Sequence, residues 1–123
     1  MRDTAAHRAE IVERIAQRFA AADESVREQV RLNPRWFGMG TTMTMAVSSG
    51  TDLFLGHVGD SRAYLLRGGQ LQALTRDHSY VQALADLGVI SQQQVPTHRM
   101  RNMLLRSLGG QEAHADVQHL SLQ

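Results

Sequence analysis

Over residues 4–32, apolar side chains recur at spacings of three and four. Ile11, Ile15, Phe19, Ala22, Val26 and Val30 therefore fall on one face of a helix. Arg14, Arg18, Glu24 and Arg27 occupy much of the remaining surface. Asp3 or Thr4 can cap the start. Ser25 and Glu28 have capping-box spacing, which offers a break near Asp23, but the continuous stripe favours one helix. Pro34 ends it, because the residue before a proline is pushed out of helical geometry.

Beyond the proline the pattern changes. Gly38-Met39-Gly40 reads as a turn, and 41–47, rich in Thr, Met and Val, as a strand. Ser48-Ser49-Gly50-Thr51-Asp52 is turn chemistry that folds the chain back as a hairpin. The next strand is expected from Leu53 to about Arg67, interrupted at Gly56 and Gly59, where glycine marks a bulge or a close backbone approach. Gly68-Gly69 makes a second hairpin turn, and 71–74 forms a third strand. Asp77 or Ser79 caps a short helix carrying Val81, Leu84 and Leu87, with Gly88 as its stop. Ser91 caps a brief turn before Pro96. The stretch 102–108 reads as another short helix stopped by Gly109-Gly110, and Val117, His119 and Leu120 indicate a last strand. Helix, three-strand meander, two short helices and strand make an α+β pattern with antiparallel pairing.

Bulk properties narrow the function. A chain of 123 residues suggests a single domain. Thirteen basic and twelve acidic residues nearly cancel, so charge gives no reason to expect a nucleic-acid partner. The absence of cysteine excludes a disulfide framework and a thiolate metal site. No segment is apolar enough to cross a membrane. The N-terminus leads into charged helical sequence rather than an apolar signal core, so the expected location is the cytoplasm.

Three stretches in order carry a recognisable pattern. They are Gly38-Met39-Gly40-Thr41-Thr42, then His57-Val58-Gly59-Asp60-Ser61-Arg62-Ala63-Tyr64-Leu65, then Leu74-Thr75-Arg76-Asp77-His78-Ser79 followed by Arg101-Asn102-Met103-Leu104-Leu105-Arg106-Ser107-Leu108-Gly109. From about Ile15 to Leu122 the chain resembles the bacterial branch of the metal-dependent protein serine/threonine phosphatases, the PPM type or type 2C. The resemblance implies two antiparallel sheets packed face to face with helices outside both. It also implies a centre of two divalent metals, Mn2+ or Mg2+, between the sheets at one end. There a bridging water attacks the phosphorus of phosphoserine or phosphothreonine. Such metals neutralise the phosphate dianion and make hydroxide available near neutral pH, and they prefer oxygen ligands.

By this resemblance Asp60 is the aspartate of the Gly-Asp-Ser-Arg motif, a metal-site carboxylate that helps hold a third, weaker metal beside the two-metal centre. Gly59 lets the strand deform so that a short carboxylate is aimed at the sheet end. The alternative is that Asp60 bonds nearby backbone amides and only fixes the bend. Arg62, two residues on, either orients Asp60 or is a solvated strand arginine. Thr41 and Thr42 pack and hydrogen-bond under the site. His57, Asp77 and His78 suggest a His/carboxylate metal site less well than they suggest capping and structural roles. His98, His114 and His119 have no ligand spacing, and the six methionines suit core filling.

The family's opening Asp-Gly motif and its late Asp-Gly and Asp-Asn pairs have no counterpart among these residues, and no residue is assigned a direct catalytic or cofactor-binding role. The expected architecture is a partial two-layer antiparallel β sandwich flanked by helices, residues 1–123 forming one partial domain. The chain is then a fragment, a split-gene product or a remnant. The expected function is a serine/threonine phosphatase that is inactive as an isolated chain. The competing one is a non-catalytic phosphoprotein-binding or regulatory module. Phosphoproteins and a cognate kinase are the expected partners, with association through exposed strand edges.

Overall fold

The computed structural model describes residues 4–123. Helix α1 runs unbroken over Thr4–Leu32, as its continuous apolar stripe requires. Asp3, one of the two candidate caps, lies outside the described residues. Ser25 and Glu28 lie inside the helix rather than at a break. After Asn33 the chain makes one 3-10 turn, Pro34–Trp36, in which proline occupies the first turn where its missing N–H leaves nothing unsatisfied.

Strands β1 (Met43–Ser49) and β2 (Asp52–Val58) form an antiparallel hairpin from Met43↔Val58 to Ser49↔Asp52. A later strand pairs with the other edge of β2, giving a three-stranded sheet with β2 in the centre. The chain between holds β3 (Tyr64–Arg67) and β4 (Gln70–Ala73), which form a separate two-stranded sheet. Their turn places Gly68 and Gly69 at φ +57° and +76°, the left-handed pair that a tight two-residue hairpin demands. Helix α2 (Tyr80–Asp86) follows, then a 3-10 segment Gln92–Thr97, and finally β5 (Asp116–Ser121), the strand beside β2. The architecture is α+β with antiparallel sheets. No helix among the described residues is long and apolar enough to cross a membrane.

Three local expectations are corrected. The strand expected over 53–67 is two strands in two sheets, because the backbone bends out of the first sheet at Gly59, whose φ is +109°. The three strands are therefore not one meander. Of the two expectations for Gly56 the close approach is the one found: the residue stays in register opposite Met45, and a side chain there would overlap Phe19 and Ile15. The helix expected over 102–108 does not form. Its backbone groups are taken by neighbours instead: Tyr80 N–H donates to Met103 O (2.9 Å), Leu105 N–H to His78 O (2.9 Å), and Thr41 and Leu108 exchange a pair of bonds (3.1 and 2.8 Å). A single isolated turn of helix is a poor competitor for such partners.

The core is where α1 crosses the three-stranded sheet. Ile15 and Phe19 pack with Phe54, Val58 and Leu108, all nearly inaccessible to solvent. Two polar ties fix the helix. Asp52 at the start of β2 accepts from Arg8 Nε (3.3 Å) and pairs with His119 Nε2 (2.7 Å) on β5. Asp23 pairs with Arg27 (2.9 Å) and accepts from the Gly109 amide (2.7 Å), and Arg27 also reaches the Gly110 carbonyl (2.5 Å). Gly109-Gly110 thus docks on α1 rather than stopping a helix. At Gly109 (φ +85°) a side chain would strike Val26.

Candidate functional site

Asp60 lies two residues beyond the end of β2, after Gly59, at the bend that carries the chain from one sheet to the other. It is exposed, and its carboxylate makes no hydrogen bond or ion pair among the described residues. The alternative in which this carboxylate braces the bend through backbone amides is therefore not what the geometry contains.

The bend is instead braced by the segment 74–78, which runs alongside it in the opposite direction. Leu74 N–H donates to Ala63 O (2.9 Å). Ala63 N–H donates to Thr75 Oγ1 (3.1 Å). Arg62 grips Asp77 with two parallel bonds, Nε to Oδ1 (3.0 Å) and Nη2 to Oδ2 (2.7 Å). His78 N–H donates to Gly59 O (2.9 Å), and Gly59 N–H donates to His78 Nδ1 (3.0 Å). His57, one residue inside the end of β2, has its Nε2 on the Arg76 carbonyl (3.0 Å) and its Nδ1 on Thr44 Oγ1 (2.9 Å). Ser61 is tied to Thr42, Oγ to Oγ1 (2.7 Å), and the Thr42 side chain fills the space that a side chain at Gly59 would need. The Gly-Asp-Ser-Arg stretch and the Leu-Thr-Arg-Asp-His stretch are thus one interlocked unit. Within 57–63, Val58 is core and every other residue but Asp60 is held by a polar bond.

This geometry reassigns several side chains. Arg62 orients Asp77 rather than Asp60, and the paired carboxylate raises its pKa further above the ordinary arginine value. Ser79, not Asp77, caps α2, its Oγ accepting from Gln82 N–H (3.2 Å). His57 and His78 are buried with ring centroids 4.7 Å apart, and both are engaged in struts rather than aimed at a shared ligand. His119 serves the tie to Asp52, and His98 accepts from the Met100 amide (3.0 Å). Of the two threonines expected under the bend, Thr42 packs against Gly59 and bonds Ser61, whereas Thr41 is exposed and its backbone pairs with Leu108.

Two participants escaped the sequence reading. His78 Nε2 lies 2.7 Å from Asp116 Oδ2, and Arg106 Nη1 donates to Asp116 Oδ1 (2.9 Å). Asp116 opens β5 and stands opposite His57 in the register, a proximity that only strand pairing creates. Burial depresses the His78 pKa below 6.5, and Arg106 adds to this against the opposing pull of Asp116, so the ring is neutral near pH 7. Burial pushes the Asp116 carboxyl up, but His78 and Arg106 together outweigh it and hold it below 3.8. His78, Arg106, Asp77 and Asp116 border a cleft of about 200 Å³. A larger concavity of about 430 Å³, lined by Arg27, Val30, Phe37 and Met39, includes none of the bend residues.

Among the described residues no three His, Cys, Asp or Glu side chains converge as a metal-holding group. Asp60 suits a single hard-cation oxygen ligand, but these residues alone do not fit a binuclear site.

The chain is thus an α+β protein with antiparallel sheets, a helix across one of them and an exposed carboxylate at the glycine bend between them. Residues 3–83 match the family model described as Protein phosphatase 2C. The chain belongs to the protein phosphatase 2C family. It is 41% identical over 92 residues to the serine/threonine protein phosphatase PstP of Mycobacterium tuberculosis, a match covering 75% of this chain and 18% of that protein. The crystal structure of the serine/threonine phosphatase Stp1 from Staphylococcus aureus superposes with a TM-score of 0.85 at 27% identity, over 100% of this chain and 47% of that one. The catalytic domain of PstP in complex with two manganese ions superposes with a TM-score of 0.71 at 35% identity, over 82% of this chain and 41% of that one. The chain thus spans less than half the length of the relatives it matches.

Proposed function

We propose that this chain is part of a protein serine/threonine phosphatase acting on phosphoserine and phosphothreonine. In this reading residues 1–123 are one partial domain, and Asp60 supplies one oxygen ligand to a Mn2+ or Mg2+ centre whose other ligands lie outside these residues. The observation that carries it is the state of Asp60: exposed at a left-handed glycine bend, with its neighbours in the motif secured and its own carboxylate unspent. Spending several polar bonds to hold a backbone while leaving the carboxylate free suits a ligand group better than a structural one. Phosphoproteins are the partners, with a cognate serine/threonine kinase supplying the substrates. The cytoplasm is the compartment, in keeping with the absence of cysteine.

The isolated chain does not turn over, because one carboxylate cannot hold two divalent cations that repel each other. The test is hydrolysis of p-nitrophenyl phosphate and of a phosphothreonine peptide with Mn2+. No turnover above the metal blank is expected. Metal-dependent turnover abolished by Asp60→Asn would overturn the inactivity and leave the role of Asp60 standing.

A second reading, a non-catalytic phosphoprotein-binding or regulatory module, is favoured by one observation. The segment 75–109 beside the bend is itself organised, with α2 capped by Ser79 and the 103–105 backbone bonded to residues 78 and 80. A titration with phosphorylated and unphosphorylated peptide separates the two readings. Phosphate-dependent binding without hydrolysis favours the module. Association through the edges β1 and β5 of the three-stranded sheet follows from either reading, since both edges lack a strand partner among the described residues.

A further inference from the structure

Gly59 holds the direction of Asp60, because the left-handed φ at position 59 sets where the next residue leaves the sheet. Both polar backbone groups of Gly59 are taken by a single residue, His78, whose main-chain N–H donates to the Gly59 carbonyl (2.9 Å). Its Nδ1 accepts the Gly59 amide at 3.0 Å. An amide N–H can only donate, so Nδ1 must present its lone pair, and the ring proton sits on Nε2. That proton points at Asp116 Oδ2, 2.7 Å away. Asp116 is in turn held by Arg106 at 2.9 Å. A continuous relay therefore runs from Arg106 through Asp116 and the buried His78 ring to the backbone that aims Asp60. The other groups against the ring are accounted for: His57 stacks beside it with its own Nε2 committed to the Arg76 carbonyl.

We propose that His78 is the positioning residue of Asp60: its Nδ1 and main-chain N–H lock Gly59, and Asp116 with Arg106 locks the tautomer that makes this possible. The proposal rests on the reading of Asp60 as a metal ligand for its functional meaning, but its geometry can be tested without metal. A neutral strut at Nδ1 is needed. A side chain that keeps an acceptor at that place preserves the bend, and one that moves the acceptor to the Nε2 place does not. Asparagine meets the first description and glutamine the second.

The experiment is amide hydrogen exchange and backbone chemical shifts on the 15N-labelled full chain, followed by titration with MnCl2 alone. In His78→Ala the Gly59 amide is expected to exchange about tenfold faster, the scale of losing one buried hydrogen bond, with the Asp60 amide shift displaced. In His78→Asn both return close to wild type, and in His78→Gln they do not. If His78→Ala does not fold, the Asn and Gln variants decide. Protection in Asn and loss in Gln support the proposal, and equal behaviour overturns it. A folded His78→Ala with unchanged Gly59 exchange also overturns it. The Mn2+ arm separates this from the metal reading. Paramagnetic broadening at Asp60 should disappear in Asp60→Asn, weaken in His78→Ala and persist in His78→Asn. If wild type has no broadening at Asp60 while Gly59 exchange still follows His78, Asp60 holds no cation by itself and the positioning stands. If broadening occurs but is indifferent to His78, the positioning fails and the metal reading stands.

Discussion

The two sheets of this chain are built from similar hairpins but live in different environments. In the three-stranded sheet, β2 is buried from Phe54 to Val58 and α1 lies across it through Ile15 and Phe19. In the β3–β4 sheet nearly every residue is exposed, and Leu66 and Leu71, paired across the strands, are 70% and 66% accessible. The first sheet is held by a core, the second by its glycine turn, its ladder and the tether of residues 62–63 to 74–77. A two-stranded hairpin without a covered face is marginal by itself, so apolar residues placed there await a covering surface. The Asp60 bend sits at the junction of these two regimes.

The sharpest way to break the comparison is to empty the covered side. Phe19→Ala removes the largest side chain that α1 contributes to the buried core and should cost about 3–5 kcal/mol in denaturant unfolding. Loss of the cooperative transition is the expected extreme. Gly56→Ala tests how closely helix and sheet approach. The added methyl overlaps Phe19 and Ile15, and about 1–3 kcal/mol of destabilisation is expected by the same measurement. A neutral result would mean the helix can move away from β2.

Acid should weaken the polar ties in two stages. The His78 pKa is depressed below 6.5, so as pH falls below 6.5 the unfolded chain takes up a proton that the folded chain refuses, and stability declines until the folded value is passed. Asp23 and Asp116 are held below 3.8, and burial, which alone would raise them, is outweighed by their partners. Their contribution is complete above 3.8 and is lost as pH falls through their folded values. Denaturant midpoints measured from pH 8 to pH 3 should therefore be highest above 6.5. His78→Asn should remove the upper stage and, by taking away one of the two partners that lower Asp116, shrink the lower one.

The smallest effect belongs to the uncovered sheet. Leu66→Ser and Leu71→Ser should change monomer stability by no more than about 0.5 kcal/mol. A larger loss, dependent on protein concentration in sedimentation, would mean that a second copy covers this face.

Much of this was legible in the residues. The period of Ile11, Ile15, Phe19, Val26 and Val30 announces α1 to its end, because a helical stripe is a local pattern and Pro34 is a local stop. Ser79, Gly88 and Gly68-Gly69 mark the limits of α2 and the β3–β4 turn for the same reason. Asp60 stood out through its glycine and its resemblance. Three things were not local. The split of 53–67 into two sheets depends on what lies beside Gly59, namely Thr42 and His78. The extended path of 102–108 depends on partners at 41, 78 and 80. The roles of Arg106 and Asp116 depend on β5 pairing with β2, fifty-nine positions after His57 in the case of Asp116.

The sequence by itself determined the limits of α1 and α2, the turn at Gly68-Gly69 and which carboxylate carries the family pattern, since each follows from side-chain period, capping chemistry and glycine or proline stereochemistry within a few residues. Only the tertiary structure decided which residue holds that carboxylate's backbone. Hydrogen-bond partners of a bend are chosen by which distant segment packs against it, and no periodicity along the chain records that choice.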